Sequence, residues 1–260
     1  MSRVRRRAPS LFTRWPVVTA QIRSSRGIVL FLDFDGTLVN IAPLPDLVRV
    51  KPSTRRILKR LARHRRLPLV VISGRRHREL VRHIKLRGIR YYGLYGWERT
   101  GHSPLPRSVL QALDRARTKL TAHLRSLPGI WMEEKRFSLS VHLLGMPQAQ
   151  QRKARRKLRS LLHPFQKSLH VIENLRDVEI LPRCIPGKGS AVKEFLVQTA
   201  PGRVLPIYFG DDLSDESAFQ AVARGVSVRV GAPRPTWARY SLRDPAAVAK
   251  ALAKLEAALI

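Results

Sequence analysis

Short runs of apolar residues alternate with amphipathic segments over much of the chain, a pattern typical of α/β proteins. The apolar runs are rich in β-branched residues and end at turn residues, so they predict buried strands. Strands are predicted at 28–32, 69–72, 91–95, 204–209 and 226–230, and helices at 52–65, 79–84, 188–198, 215–223 and from 246 onward. The pattern predicts a parallel sheet with helices on its faces.

A different pattern occupies the middle of the chain. A helix predicted at 110–124 is followed by strands at 130–133 and 137–144, and a helix at 148–162 is followed by strands at 169–172 and 178–181. This repeated order of one helix and two strands predicts a small α+β module with one antiparallel sheet. We therefore expect a discontinuous core domain (27–107 and 183–260), an inserted domain (108–182) and a basic tail (1–26).

The chain is strongly basic, with 50 Lys and Arg against 18 Asp and Glu and a formal net charge of +32. Such a charge favours anionic partners, which include nucleic acid, anionic lipid and phosphorylated metabolites. No apolar run approaches the roughly 20 residues of a membrane-spanning helix, so we expect no membrane partner. A single cysteine, Cys184, excludes an internal disulfide and fits a reducing compartment, so we expect a cytoplasmic protein.

The first 26 residues are rich in Arg and contain no Asp or Glu. They also lack the continuous apolar core of a secretory signal. Two interpretations fit this composition: an organelle transit peptide, or a solvated basic tail on an already basic protein. We favour the solvated tail, because Arg-rich segments of this kind are weakly specific signals.

Four polar clusters follow predicted core strands or begin a core helix, at the edge where open parallel sheets bind ligands. The first contains Asp33, Asp35 and Gly36. Two carboxylates two positions apart at a strand end repel each other unless a cation lies between them, which points to a bound metal ion. Oxygen ligands without His or Cys favour magnesium over zinc. A simple acidic turn is the alternative interpretation of this motif.

The other three clusters carry groups suited to a phosphorylated ligand. Ser73 supplies a hydroxyl beside Gly74 near a helix start, where backbone amides can hold a phosphoryl oxygen. Lys188, between two glycines, supplies a fixed positive charge at the start of a helix. The segment GDDLSDE at 210–216 places four acids within six positions, and Asp215 is also placed to cap the following helix.

In this order, the clusters resemble those of the haloacid dehalogenase-like superfamily of phosphatases. Longer segments resemble its trehalose-6-phosphate phosphatase family. They are FLDFDGTLVNIAPLPD (31–46), VISGR (71–75), GLYGWE (93–98), the stretch 133–142, VEILPRCIPGKGSAV (178–192) and FGDDLSDESAF (209–219). The resemblance extends over about residues 27 to 230.

The resemblance implies an α/β fold with a Rossmann-like core, a parallel sheet and an inserted α+β cap domain of the C2 type. It also implies a phosphoric monoester hydrolase that uses Mg²⁺ and converts trehalose 6-phosphate to trehalose and phosphate through an aspartyl-phosphate intermediate. The partner is then a phosphorylated disaccharide. We expect a monomer with no dedicated nucleic-acid partner.

The resemblance also assigns catalytic roles. Asp33 is the expected nucleophile, and Asp35 is expected to protonate the leaving sugar oxygen and then to activate water. Magnesium is expected on Asp33, the backbone carbonyl of Asp35 and Asp211, with Asp212 assisting. Ser73 and Lys188 are expected to hold the phosphoryl group. The expected substrate-binding residues are Gly36, Gly74, Arg75, Glu134, Lys135, His142, Glu179 and Asp215, of which Asp215 orients Lys188 or a metal-bound water.

The inserted domain departs from the family pattern at two positions. The family's H-Y-R is His142-Leu143-Leu144 here, and its E-[VI]-R-P is Glu179-Ile180-Leu181-Pro182, so two arginines are missing. Both positions belong to the domain expected to hold the sugar. A phosphatase for another sugar or sugar-acid phosphate, such as sucrose phosphate or mannosylphosphoglycerate, is therefore the alternative within enzymes.

A nucleic-acid-binding protein is the alternative from a different class. The segment RKARRKLR at 152–159 places six positive charges on one predicted helix without an acid. No aromatic residues are interleaved with these charges, however, and Ala154 and Leu158 belong to an ordinary apolar stripe. We therefore favour the phosphatase.

Overall fold

The computed structural model describes residues 5–42, 48–99, 105–124, 129–135, 137–143, 145–175, 177–185, 187–199 and 204–259. The chain forms two compact units. The first combines Met1–Arg99 with Pro186–Ile260, and the second is Thr100–Ile185. The first unit is discontinuous in sequence because the second is inserted into it.

The first unit is built around a parallel sheet, which has six strands in the described part of the chain. They are β1 (Gly27–Leu32), β2 (Leu69–Ile72), β3 (Ile89–Tyr92), β8 (Val204–Gly210), β9 (Val226–Val230) and β10 (Tyr240–Leu242). The strand order is β10-β9-β8-β1-β2-β3, so β8 and β1 are neighbours although the insertion separates them in sequence. The strands are parallel, and their carboxyl ends therefore meet at one edge of the sheet.

Apolar side chains cover both faces of this sheet. In β1, Ile28, Leu30 and Leu32 belong to one hydrophobic cluster, whereas Val29 and Phe31 belong to another. Helices α1 (Trp15–Ser24), α2 (Pro52–Leu61), α3 (His77–Ile84) and α8 (Pro245–Ala258) contribute to the first cluster, and α6 (Lys188–Thr199) and α7 (Glu216–Ala221) to the second. Burial on both faces explains why the strands are continuous apolar runs in the sequence.

The second unit is an antiparallel sheet with two helices. Its strands are β4 (Trp131–Lys135), β5 (Ser138–His142), β6 (Leu169–Glu173) and β7 (Asp177–Pro182), in the order β4-β5-β7-β6, and its helices are α4 (Arg107–Leu124) and α5 (Gln148–Leu162). Side chains at alternate strand positions, such as Leu139, Val141 and Ile180, pack with leucines of both helices. The opposite face carries mostly polar side chains, together with Trp131, Ile172 and Leu181.

The predicted fold class is confirmed, because the first unit has a parallel sheet and the second a separate antiparallel one. Among the described residues, no helix is long and apolar enough to cross a membrane.

The amino-terminal segment is not the solvated tail that its composition suggested. Residues 15–24 form α1, and Leu11, Val18 and Ile22 are buried in the hydrophobic cluster that α8 also lines. The apolar positions four residues apart bind the helix to the first unit, while its charged positions stay exposed.

Adjacent valines of α1 allow a matched test of this packing. Val18 is 1% exposed and Val17 is 49% exposed. We predict that Val18→Ala lowers the free energy of unfolding by about 1–3 kcal/mol, because it leaves a cavity in the cluster. Val17→Ala should change it by less than about 0.5 kcal/mol. Urea denaturation measures both, and equal effects of the two substitutions would show that α1 is not docked.

Candidate active site

Polar side chains follow three neighbouring strands at the carboxyl edge of the parallel sheet. Asp33 comes directly after β1, Ser73 after β2 and Asp211 after β8. The strand order β8-β1-β2 places these residues side by side. The backbone N–H of Asp33 donates to the carbonyl of Phe209 at 2.9 Å, so the β1–β8 hydrogen bonding continues up to this carboxylate.

Lys188 joins Asp33 to Asp215. Its buried Nζ donates to Asp33 Oδ1 and to Asp215 Oδ1, both at 2.7 Å. Burial alone would lower the pKa of Lys188, but the carboxylates of Asp215 and Asp33 outweigh it and raise that pKa. Lys188 therefore stays charged and holds a fixed positive charge against the predicted nucleophile.

Burial opposes the ionisation of the surrounding carboxylates. It raises the pKa of Asp33 to about 7, against the opposing effect of Lys188. It also raises the pKa of Asp211 well above its ordinary value, and the carboxylates of Asp33 and Asp215 add to this rise. The cause is the same for both residues: a negative charge loses hydration and lies close to other negative charges.

The carboxylates of Asp33, Asp211 and Asp215 fit a divalent cation. One oxygen from each lies within 4.8 Å of the others, and all three residues are buried. When ionised they carry three negative charges against the single positive charge of Lys188, an excess that a divalent ion would balance. A donor set of carboxylate oxygens alone suits magnesium.

Close backbone approach keeps these carboxylates together. Gly36 has a φ of +75°, and a Cβ at this position would overlap the carboxylate of Asp211. Only glycine meets both conditions without strain. The loop after β1 therefore lies directly against the end of β8, which explains the glycine that follows the two aspartates in the motif.

Asp215 contacts Lys188, as the resemblance implied, and it is fully buried within the candidate metal group. The carboxylate of Asp212, expected to assist the metal, accepts from the backbone N–H of Leu213 and caps the short 3-10 helix Leu213–Asp215. Oδ1 of Asp215 also accepts from the hydroxyl of Tyr208 at 2.7 Å, and Oδ2 of Asp215 accepts from the backbone N–H of Asp212.

Asp35 forms an ion pair with Arg75 and does not belong to the group of three buried carboxylates. Arg75 donates from Nε to Asp35 Oδ2 at 2.6 Å and from Nη2 to Asp35 Oδ1 at 2.8 Å. The guanidinium also lies over the ring of Phe34, 5.4 Å from its centroid. Arg75 was predicted to bind substrate, and the structure makes it the partner that orients Asp35.

Ser73 is buried at the end of β2, and its Oγ accepts from the backbone N–H of Arg75 at 3.2 Å. Its backbone carbonyl accepts from the N–H of Tyr95 at 2.9 Å. Gly74 lies against the ring of Tyr95, where a Cβ would come within 3.0 Å. The 93–98 segment thus fixes the loop that carries Ser73.

Three residues of this region were missed by sequence reasoning. Thr37 donates to Asp33 Oδ2 at 3.3 Å, Tyr208 donates to Asp215, and the buried Glu98 accepts from the backbone N–H of His77 at the start of α3. Tyr208 lies within an apolar run, so the pattern alone assigns it to the core. Thr37 and Glu98 lie within the segments that resemble the family, and no other feature of the sequence pointed to a role for them at the site.

The second unit has a polar sheet face of its own. Glu179 is 1% exposed, and its carboxylate accepts from Lys135 Nζ at 3.1 Å and from the hydroxyl of Ser138 at 2.8 Å. Burial raises the pKa of Glu179, although Lys135 opposes this effect. Burial alone would lower the pKa of Lys135, but the nearby carboxylates, Glu179 first among them, raise it.

Glu133, and not the predicted Glu134, shares this face. Side chains alternate along β4, so Trp131, Glu133 and Lys135 point to one side. Glu133 lies 3.0 Å from Nε2 of His142, and the His142 ring stacks on the indole of Trp131 at 3.7 Å. Glu134 points to the opposite side, where its carboxylate lies 3.6 Å from Arg117 of α4.

Of the two positions where the family has an arginine and this chain has a leucine, the structure describes Leu181. Leu181 is fully buried at the end of β7, opposite His170 of β6. Leu144 lies outside the described residues. In the second unit, Arg155 and Arg159 of α5 contact Glu173 of β6, so part of that helix's positive charge is paired.

Comparison with known proteins identifies relatives of this chain. The family model described as trehalose-phosphatase matches residues 31–246. Trehalose 6-phosphate phosphatase RA3 of Zea mays is 30% identical over 273 residues, which cover 95% of this chain and 74% of the maize protein. Trehalose-phosphate phosphatase of Mycobacterium tuberculosis is 30% identical over 240 residues, which cover 87% of this chain and 60% of that protein.

Solved structures show the same fold. The C-terminal domain of Candida albicans trehalose-6-phosphate phosphatase has a TM-score of 0.83 at 19% identity, with 96% of this chain and 98% of that chain covered. The sucrose-phosphatase of Synechocystis has a TM-score of 0.57 at 20% identity, with 89% and 98% covered. The parallel sheet and the inserted antiparallel sheet thus form the same fold as in these two proteins.

The family model spans most of the chain, and the relatives align over nearly its whole length. Its buried carboxylates, Lys188 and the Ser73 loop lie within the matched range. This protein is a phosphatase that belongs to the trehalose-phosphatase family.

Proposed function

We propose that this phosphatase hydrolyses trehalose 6-phosphate to trehalose and inorganic phosphate, in two steps, through a phosphoryl group carried on Asp33. The observation that carries the proposal is the buried contact of Lys188 with both Asp33 and Asp215, beside Asp211. The substrate follows from the family and from the names of its relatives. The polar face of the second unit supplies groups that fit a sugar.

In the first step, a carboxylate oxygen of Asp33 attacks phosphorus, and the bond from phosphorus to the sugar oxygen breaks. Asp33 Oδ1 accepts from Lys188 at 2.7 Å, whereas Oδ2 accepts a longer bond from Thr37 at 3.3 Å. We therefore assign the attack to Oδ2. Lys188 orients the carboxylate and offsets negative charge on the phosphoryl oxygens.

Asp35 gives its proton to the leaving sugar oxygen in the first step. In the second step it takes a proton from the water that attacks phosphorus, and the bond between Asp33 and phosphorus breaks. Arg75 contacts both oxygens of Asp35, so it fixes where this carboxyl group lies. The hydroxyl of Ser73 and the amides of its loop bind the phosphoryl oxygens.

Magnesium would be held by Asp33 and Asp211, near Asp215, and would neutralise charge on the phosphoryl group when bound. The backbone carbonyl of Asp35, assigned to the ion by the family resemblance, completes the proposed protein ligands. The case for the ion is electrostatic: three buried carboxylates face one ammonium.

The second unit is proposed to act as the cap that recognises the disaccharide. A buried carboxylate held by an ammonium and a hydroxyl, as in Glu179 with Lys135 and Ser138, presents fixed acceptors and donors. Sugar hydroxyls need such paired polar groups. The stacked rings of Trp131 and His142 add an apolar surface next to Glu133.

A phosphate-release screen tests the proposed activity. We predict that trehalose 6-phosphate is hydrolysed more efficiently than sucrose 6-phosphate, mannosylphosphoglycerate and glucose 6-phosphate, with magnesium present. Chelation with EDTA should stop the reaction and added magnesium should restore it. Asp33→Asn, which keeps the shape but loses the nucleophile, provides the inactive control. Faster turnover of another sugar phosphate would contradict the assignment of trehalose 6-phosphate as the substrate. Full activity after chelation would contradict the requirement for magnesium.

Neighbouring glutamates of β4 test the proposed cap. We predict that Glu133→Ala lowers kcat/KM for trehalose 6-phosphate at least about tenfold, because hydrogen bonds to a charged group contribute about 1.5–3 kcal/mol each. Glu134→Ala should leave it within about twofold, because that side chain points to the other side of the sheet. Hydrolysis of p-nitrophenyl phosphate, which lacks the sugar, should be unchanged in both variants. Equal losses in the two variants would contradict the assignment of the polar face.

A further inference from the structure

A second concave surface lies on the first unit, away from the residues assigned to catalysis. Its cavity has a volume of about 660 Å³ and lies between α2 and the segment that joins α3 to β3. Its basic lining residues are Arg55, Arg56, Lys59, Arg63, Lys85 and Arg87, and Val50, Pro52 and Leu86 complete the lining. We call this surface the cationic groove. Among the residues that the structure describes, no carboxylate lines it.

The basic residues of the cationic groove lack acidic partners. Within the described residues, no ion pair joins any of the six to a carboxylate, whereas Arg60 of the same helix, outside the groove, pairs with Glu256. Arg55 donates instead to the backbone carbonyls of Ile84 and Lys85. Like charges held close together repel each other, and a bound anion would relieve that repulsion.

The fold fixes the spacing of these charges. Arg56 and Lys59 lie one turn apart on α2, and Arg63 follows the end of that helix. Lys85 and Arg87 stand on the opposite wall, where α3 ends and the chain turns into β3. Arg55 ties the two walls together through its contacts with the carbonyls at the end of α3. All six basic side chains are exposed, and the backbone of α2 and of the 85–87 segment sets the positions from which they extend.

The cationic groove extends along α2, from Pro52 at the start of that helix to Arg63 beyond its end. Its described lining contains none of the residues assigned to catalysis. The two sites can be tested separately.

We propose that the cationic groove binds a compact anion with several phosphate groups, recognised through its phosphates. The cavity volume falls within the range of about 300–1,000 Å³ that is usual for small-ligand sites. Six positive charges exceed what one phosphate needs. The described lining contains no aromatic residue on which a nucleobase could stack. Inorganic tripolyphosphate and a nucleoside triphosphate should therefore bind with similar affinity.

Calorimetric titration with tripolyphosphate, in EDTA at low salt, tests the proposal. The groove variant carries Arg56→Ala, Lys59→Ala and Arg63→Ala. The matched control carries Arg152→Ala, Arg156→Ala and Lys157→Ala, which removes the same charges from exposed positions of α5. We expect at least tenfold weaker binding in the groove variant, unchanged binding in the control, and unchanged hydrolysis of p-nitrophenyl phosphate in both.

Several results would overturn the proposal. Equal loss in both variants would mean that the overall charge attracts the anion, and unchanged binding in the groove variant would mean that the site lies elsewhere. Tighter, groove-dependent binding of a 20-base-pair duplex would favour a nucleic-acid surface instead. Weaker binding of tripolyphosphate than of ATP would show that the base is recognised. If the groove variant does not fold, Lys85→Ala with Arg87→Ala removes charge from the other wall, and the same loss is expected.

Discussion

Three buried carboxylates lie together at the edge of the parallel sheet, and the ammonium of Lys188 is the charge that makes this arrangement tenable. It contacts Asp33 and Asp215 at 2.7 Å each, in a place where burial otherwise opposes ionisation. Removal of one partner from a buried ion pair usually costs about 3–5 kcal/mol, because the remaining charge is left uncompensated. In the proposed mechanism, the same contact orients the carboxylate that attacks phosphorus. The remaining negative charge is what a divalent ion would balance.

This contact depends on the connectivity of the whole chain. Asp33 ends β1, Lys188 begins α6 after the inserted unit, and Asp215 follows β8. The pairing of β1 with β8 brings the two aspartates together, and Gly210 leaves room for the carboxylate of Asp215, which a Cβ there would overlap. Tyr208 and the backbone of Asp212 then hold Asp215 in place. A site at a sheet edge is therefore specified by strand order as much as by its own residues.

Much of the fold and of the site could be predicted from the sequence. A carboxylate directly after a buried apolar run must lie at a strand end, so Asp33 and Asp211 were placed correctly by pattern alone. Asp212 and Asp215 could not be separated in this way, because the choice between capping a turn and facing the site depends on backbone geometry. Glu133 could have been predicted from the sequence, because side chains alternate along a strand and Glu133, unlike Glu134, lies on the same face of β4 as Lys135. The docking of α1 was missed because the arginine content of the first 26 residues was given more weight than the apolar residues of 15–24, which include Val18 and Ile22.

The central proposal is that Asp33 carries the phosphoryl group between the two steps, and borohydride trapping tests it most directly. The protein is quenched during turnover of trehalose 6-phosphate and treated with borohydride, which reduces an acyl phosphate to an alcohol. Peptide mass spectrometry then locates the modified residue. We expect homoserine at position 33, and no conversion when the substrate is omitted. Conversion of another carboxylate, such as Asp35 or Asp211, without conversion of Asp33 would contradict the proposed mechanism.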